Sequence, residues 1–261
     1  MAQLATRDTQ SCGKMLEINP SIIGDSLPQA ANSRASISAA HPLPSFSLLV
    51  QDSLGRKAAE KFIEQQFFKS YGARHSEYMP CFITMQGRSA ISAAAGCALA
   101  AEKDPLFLER YLSAPVQDLL SERMNANIER AQIAEVGNLA GSRFGTDQVG
   151  SSRLLYIVLA SMLEAADIEW MVFTATAPLL RSLRRLGLEH VELAEASDKS
   201  LEADERESWG TYYEHGPKVV AASLKSVRQS IQDSPQFAAI KQYYADDIAV
   251  MTAQLNSSKS R

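Results

Sequence analysis

Apolar residues along this 261-residue chain recur with two different periods, and the order in which those periods alternate confines the chain to layers of sheet and helix. Short apolar runs bounded by polar turns mark strands at Phe46–Val50, Cys81–Met85 and Ile91–Leu99, the last two joined by the turn Gln86-Gly87-Arg88-Ser89. Helical spacing takes over from about Arg56 to Tyr71, where Ala59, Phe62, Ile63, Phe67 and Phe68 fall on one face. A helical region opens at Pro105 and runs to about Arg123, with Pro115 interrupting it. A strand over Arg130–Ala140 then leads into the polar loop Gly141–Gly150, and Ser151 or Ser152 can cap the helix that follows. Beyond it come a strand at Trp170–Thr174, a helix started by Pro178 and stopped by Gly187, and a strand near His190–Ala194. Residues 195–217 read as a long loop before the strand Lys218–Leu224.

This order predicts an α/β, or mixed α+β, architecture: a central mixed, partly antiparallel sheet flanked by helices. Residues 1–44 carry no sustained apolar period and are expected to form a mobile arm, followed by a domain over 45–228. Residues 229–261 are expected to form a C-terminal helical tail. Its amphipathic helix, about Pro235 to Leu255, packs on the domain or on a second copy in a homodimer.

Composition serves mainly to exclude. A formal net charge of -4 gives no drive toward nucleic acid or anionic membrane. No apolar run approaches the roughly 20 residues that span a bilayer, so no integral membrane association is expected. The first residues lack the basic start and apolar core of a secretory signal, which makes the cytoplasm the expected compartment. Cys12, Cys81 and Cys97 fit neither a disulfide framework nor a zinc site, and the last two read as buried small hydrophobes. The four histidines, His41, His75, His190 and His215, lack metal-ligand spacing, so no metal is expected. No Gly-x-Ser-x-Gly elbow occurs. The stretch Gly145 to Ser152 spaces like a phosphate loop but has no Lys between Gly150 and Ser151, which argues against nucleotide hydrolysis.

Four groups of residues carry possible chemistry. Glu135 shares a strand face with Ile133 and Leu139, and a carboxyl among apolar neighbours has a raised pKa suited to taking a proton. The alternative is a Glu paired with a structural Arg. Gly137 marks a possible bulge, which would turn Asn138 toward the same side. The helix start Gly150-Ser151-Ser152-Arg153 offers free backbone N–H groups and a cation to a phosphate, or is simply a capped helix. Thr174 and Thr176 sit at the C-terminal end of a strand, where ligands of α/β sheets collect. Trp209, Tyr212 and Tyr213, with His215, form an aromatic segment that either packs as a loop base or closes over a substrate.

Several stretches resemble the thermostable haemolysin family: Leu106-Phe-Leu-Glu-Arg-Tyr-Leu112 with Pro115, Ile133-Ala-Glu-Val-Gly-Asn-Leu-Ala140 and Phe173-Thr-Ala-Thr176, then Leu186-Gly-Leu188 and Trp209-Gly-Thr-Tyr-Tyr213 with Pro217. That family is similar to GNAT acyltransferases and, within them, to acyl-homoserine lactone synthases. The resemblance implies a GNAT-like three-layer fold and transfer of a fatty acyl group to a small amine acceptor. The donor is acyl-CoA or the acyl-phosphopantetheine of an acyl carrier protein, the product a signal or surfactant, and no cofactor is held permanently. It implies catalytic or acceptor-side roles for Glu135, Asn138, Thr174 and Thr176. Donor binding falls to Leu139, Ala140, Gly150, Ser151, Ser152 and Arg153, and substrate binding to Trp209, Tyr212 and Tyr213. Where the family pattern leads to Gly, an aromatic and Arg, this chain has Gly96, Cys97 and Ala98, so a basic group is absent there. A membrane-active haemolysin and a catalytically silent acyl-binding protein are the competing expectations.

Overall fold

The alternating segments pair into a single sheet. The computed structural model describes residues 43–74, 77–87, 90–141, 151–184 and 187–258. Among these, the strands are β1 (Ser45–Leu49), β2 (Cys81–Gln86), β3 (Ile91–Leu99), β4 (Ile133–Gly141), β5 (Trp170–Ala175), β6 (Val191–Glu195) and β7 (Lys218–Ser223). Their spatial order is β1-β2-β3-β4-β5-β7-β6. The first four are antiparallel neighbours, as are β5, β7 and β6. Only β4 and β5 run parallel, which demands a crossover. That crossover is helix α3 (Ser151–Ala165).

The remaining helices are α1 (Arg56–Tyr71), α2 (Val116–Met124), α4 (Ala177–Arg184), α5 (Ala203–Ser208), α6 (Leu224–Asp233), α7 (Pro235–Tyr243) and α8 (Ala245–Ser258). Strand alternation sends Ile83, Ala95, Val136 and Met171 to one face, against Leu155 and Leu159 of α3 and Ile248, Met251 and Leu255 of α8. The opposite face is covered in two patches. Ala59 and Ile63 of α1 pack on Phe82 and Ala94, while Leu108 and Leu120 pack on Ile133, Val172 and Val219. The result is helix, sheet and helix in three layers.

Several boundaries differ from the sequence reading. Pro115 does interrupt the region after Pro105, leaving a 3₁₀ turn at Phe107–Tyr111 before α2. Arg130–Gln132 forms another 3₁₀ turn, so β4 begins at Ile133. The single helix expected over Pro235–Leu255 is two, α7 and α8, and α6 precedes them. The long loop 195–217 contains α5 and two 3₁₀ turns. Residues 1–42 of the expected arm lie outside the described residues. The segment beyond 228 contributes Tyr244, Ile248, Met251 and Leu255 to the principal core, and Tyr244 stacks edge-on against Phe46 of β1.

Candidate active site

The β4–β5 pairing lasts three residues, Ile133 to Glu135 against Trp170 to Val172. Past that point the strands part, because β4 is bulged. Gly96 pairs with Gly137 and Ala94 with Ala140, so Asn138 and Leu139 together oppose one residue of β3. Asn138 absorbs the distortion with φ 47, a left-handed conformation tolerated by Asn. A cavity of about 730 Å³ opens where the strands separate. Its wall includes Glu135, Leu139 and Ala140 from β4, Thr174 and Thr176 from the end of β5, and Trp209 and Tyr212 from the aromatic segment. Residues of both sheet faces line it: Phe107 and Glu135 from one, Leu159 and Met171 from the other.

Glu135 is buried and, among the described residues, forms no salt bridge, although the charge of Arg110 acts on it from a distance. The N–H of Leu108 donates to its Oε1 at 3.2 Å, while Oε2 has no hydrogen-bond partner among the described residues. Burial pushes the carboxyl up to about 7, against the lowering effect of backbone N–H groups of Leu108 and Phe107. The structural ion pair expected as the alternative role for Glu135 exists, but on another residue. Glu109 takes both Arg130 Nη1 and Nη2, at 2.7 and 2.8 Å, and also accepts the N–H groups of Leu106 and Val116. Burial alone would raise Glu109, yet the Arg130 guanidinium and the two N–H donors hold it below the ordinary carboxylate value. This pair fixes the 3₁₀ turn whose Leu108 N–H reaches Glu135. Sequence reading missed it, because Arg130 and Glu109 belong to different elements and nothing local announces their contact.

Asn138 does turn to the side of Glu135, as the bulge predicts. Its Oδ1 accepts the Met79 N–H at 2.9 Å and its Nδ2 donates to Glu77 O at 3.3 Å. The amide thus pins residues 77–79 over the sheet. The Met79 side chain occupies the space where Gly96 and Gly137 carry none: a Cβ on either would lie 2.7 or 2.5 Å from it. Met79 is a further wall residue that the sequence did not single out.

Thr174 accepts a hydrogen bond from the Tyr212 hydroxyl at 3.3 Å, which joins two of the expected groups. Trp209 and Tyr212 pack against Phe67 and Tyr71 of α1. Tyr213 stands behind them with its hydroxyl 2.6 Å from that of Tyr111, so it does not line the cavity. Burial pushes the phenols of Tyr212 and Tyr213 up, keeping both protonated. Arg110 is a cation on the cavity wall that was not foreseen. Its guanidinium lies 3.9 Å from the Phe107 ring centroid and pairs with Glu205. Of the expected donor-binding residues, Leu139 and Ala140 line the cavity. Arg153 instead lies over Phe237 of α7, 5.5 Å from the ring centroid. Gly150 and the side chains of Ser151 and Ser152 lie outside the described residues.

A mixed sheet whose bulged central strand parts from a parallel neighbour, with helices on both faces, defines a GNAT-like fold. The chain belongs to the thermostable haemolysin family: the family profile, described as "Thermostable hemolysin", matches residues 49–228. Among solved structures it is similar to the AHL synthase LasI, with a TM-score of 0.50 and 13% identity over 72% of this chain and 93% of that one. It is also similar to FeeM, an N-acyl amino acid synthase from uncultured soil microbes, with a TM-score of 0.49 and 12% identity over 75% and 98%. At 13% identity the likeness to LasI shows the fold. A search of curated protein sequences finds no match.

Proposed function

We propose that this chain is an acyltransferase that moves a fatty acyl group from a thioester, acyl-CoA or acyl carrier protein, to the nitrogen of a small amine. One observation carries the reading: a buried carboxyl, Glu135, with an oxygen unpartnered among the described residues and a pKa pushed up to about 7, on the wall of a largely apolar cavity at the parting of β4 and β5. A base with a pKa near the operating pH is suited to accepting a proton from an ammonium or an attacking amine. The cavity lies within the range of about 300–1,000 Å³ typical of small-molecule sites. Its Leu, Met and Phe side chains suit an acyl chain, and the opened strand end gives room for the thioester beside Glu135.

The chemistry balances without a cofactor. The amine nitrogen attacks the thioester carbonyl carbon; a C–N bond forms and the C–S bond breaks. Glu135 takes the proton that the nitrogen sheds, directly or through one water, and the departing thiolate is protonated to the free thiol. Thr174, aligned by Tyr212, and the neighbouring Thr176 supply hydroxyls for the carbonyl oxygen. An N-acylated product is amphiphilic, which gives the family's lytic name a chemical origin that needs no pore. Among the described residues no helix is long and apolar enough to cross a membrane.

The test offers acyl-CoA and acyl carrier protein thioesters of graded chain length together with a pool of small amines. Thiol release and amide formation are followed by absorbance and mass spectrometry. We expect both products from the parent chain, and a fall of roughly 10²–10⁴-fold in Glu135→Gln, the usual contribution of positioned acid–base catalysis. Donor binding without thiol release, in parent and variant alike, would replace this reading with a silent acyl-binding protein.

A further inference from the structure

We infer that Cys81 and Cys97 form an oxidisable dithiol, a modification site that reacts with low-molecular-weight disulfides such as glutathione disulfide to give a cross-strand bond between β2 and β3.

The two residues are directly opposed in the antiparallel register of β2 and β3, so their side chains leave the same face of the sheet. Directly opposed residues have Cα atoms about 4.5–5.5 Å apart, inside the roughly 4.4–6.8 Å that a disulfide spans. Both are free thiols, both are buried in the principal core, and they hydrogen-bond to each other. Within that bond the roles are unequal. The hydrogen bond from Cys97 lowers Cys81, assisted by the Ser258 hydroxyl and the Arg56 guanidinium against the opposing effect of burial. Cys97 is raised, by the same hydrogen bond and by burial. Cys81 is therefore the nucleophile and Cys97 the resolving thiol.

Access is the remaining requirement, since Cys81 is 5% exposed. Ser258, which reaches Cys81, belongs to the last turn of α8. Helix ends open locally at little cost compared with global unfolding, so fraying of that turn uncovers the thiol while the sheet stays intact. The pair also stands next to the candidate site. Cys81 follows two residues after Met79, and Cys97 follows Gly96, on which the Met79 side chain rests. A bond here would tie β2 to β3 beside that cavity wall.

The exchange runs in two steps. The Cys81 thiolate attacks one sulfur of glutathione disulfide; a new S–S bond forms, the old one breaks, and the released glutathione takes up a proton. Cys97 then loses its proton and attacks the Cys81 sulfur, expelling the second glutathione. The protein gives up two electrons and two protons, and the glutathione disulfide receives them as two thiols.

Glutathione disulfide added to the purified full chain, followed by intact-mass analysis and non-reducing peptide mapping, tests the inference. The expected result is a loss of two hydrogen masses and a linked peptide pair containing Cys81 and Cys97, both reversed by dithiothreitol. In Cys97→Ser, the same treatment should trap a glutathione adduct on Cys81, while Cys81→Ser should leave Cys97 unmodified. The parent chain decides the matter even where a variant does not fold. Cys81 and Cys97 remaining free in the folded chain, under conditions that oxidise them in the guanidinium-unfolded chain, would overturn the inference. So would a bond from either residue to Cys12.

Discussion

Two carboxyls near the cavity, Glu109 and Glu135, are driven in opposite directions by their surroundings. Glu109 is held below its ordinary value by Arg130, and Glu135 is pushed up to about 7 by burial. The second shift has a consequence for stability whose sign is definite. The unfolded chain gives up the Glu135 proton near 4.5, the folded chain only near 7. Between these values the folded state holds more protons, so stability contributed at this site falls as pH rises, and the full penalty is present above about 7. At 1.36 kcal/mol per unit the penalty is about 3 kcal/mol. Glu135→Gln has no such proton to lose. Urea denaturation of parent and variant should therefore show the variant gaining relative stability from about pH 5 to about pH 8. A pH-independent difference would mean that Glu135 is not held protonated by burial. The residue was legible in the sequence because strand alternation placed a Glu among apolar side chains. What alternation does not reveal is which carboxyl has a cationic partner, since Arg130 meets Glu109 only through the folding of two separate turns.

At the scale of elements, the join between α1 and the aromatic segment depends on one glycine. Gly210 has φ 54, and a Cβ there would lie 2.2 Å from the carbonyl oxygen of Tyr71. The flanking bonds, Thr211 N–H to Tyr71 O at 2.9 Å and Arg74 N–H to Ser208 O at 2.7 Å, hold the two elements at that closeness. Gly210→Ala combines a left-handed conformation with a backbone clash and should cost on the order of 1–3 kcal/mol. Trp209, which packs at the same join, should report the loosening as a shift in fluorescence; an unchanged melting temperature and spectrum would refute the close approach. Elements with an unbroken period were readable without the structure: α1 runs over Arg56–Tyr71 and β3 over Ile91–Leu99, as the spacing predicts. The division of the last helix at Tyr244 was not, because neither Gly nor Pro stands there to announce it. The break is set by Tyr244 turning into the core, where it meets Phe46 and donates to the Pro44 carbonyl.

For the whole molecule, the chain's two ends of described structure meet: α8 lies against β1 and α3, and Ile248, Met251 and Leu255 are buried there. At about 1.5–3 kcal/mol for each fully buried side chain, these three alone rival the roughly 5–15 kcal/mol of net stability of a typical domain. A chain ending at Tyr244 should therefore give little soluble, cooperatively unfolding protein; a normal melting transition would show α8 to be dispensable. Sequence reading placed this helix in a tail because amphipathicity reveals that a face must be covered and not what covers it. The sheet as a whole has a comparable asymmetry. Four antiparallel strands on one side and three on the other are each laced along their length, and the two sets meet through three residues of β4 and β5. In mechanical terms the sheet is two stiff boards stitched at one short seam, with α3 as the binding strap. Strain applied by a bulky occupant of the cavity would be taken up at that seam, which makes the site compliant in one direction and rigid in the others.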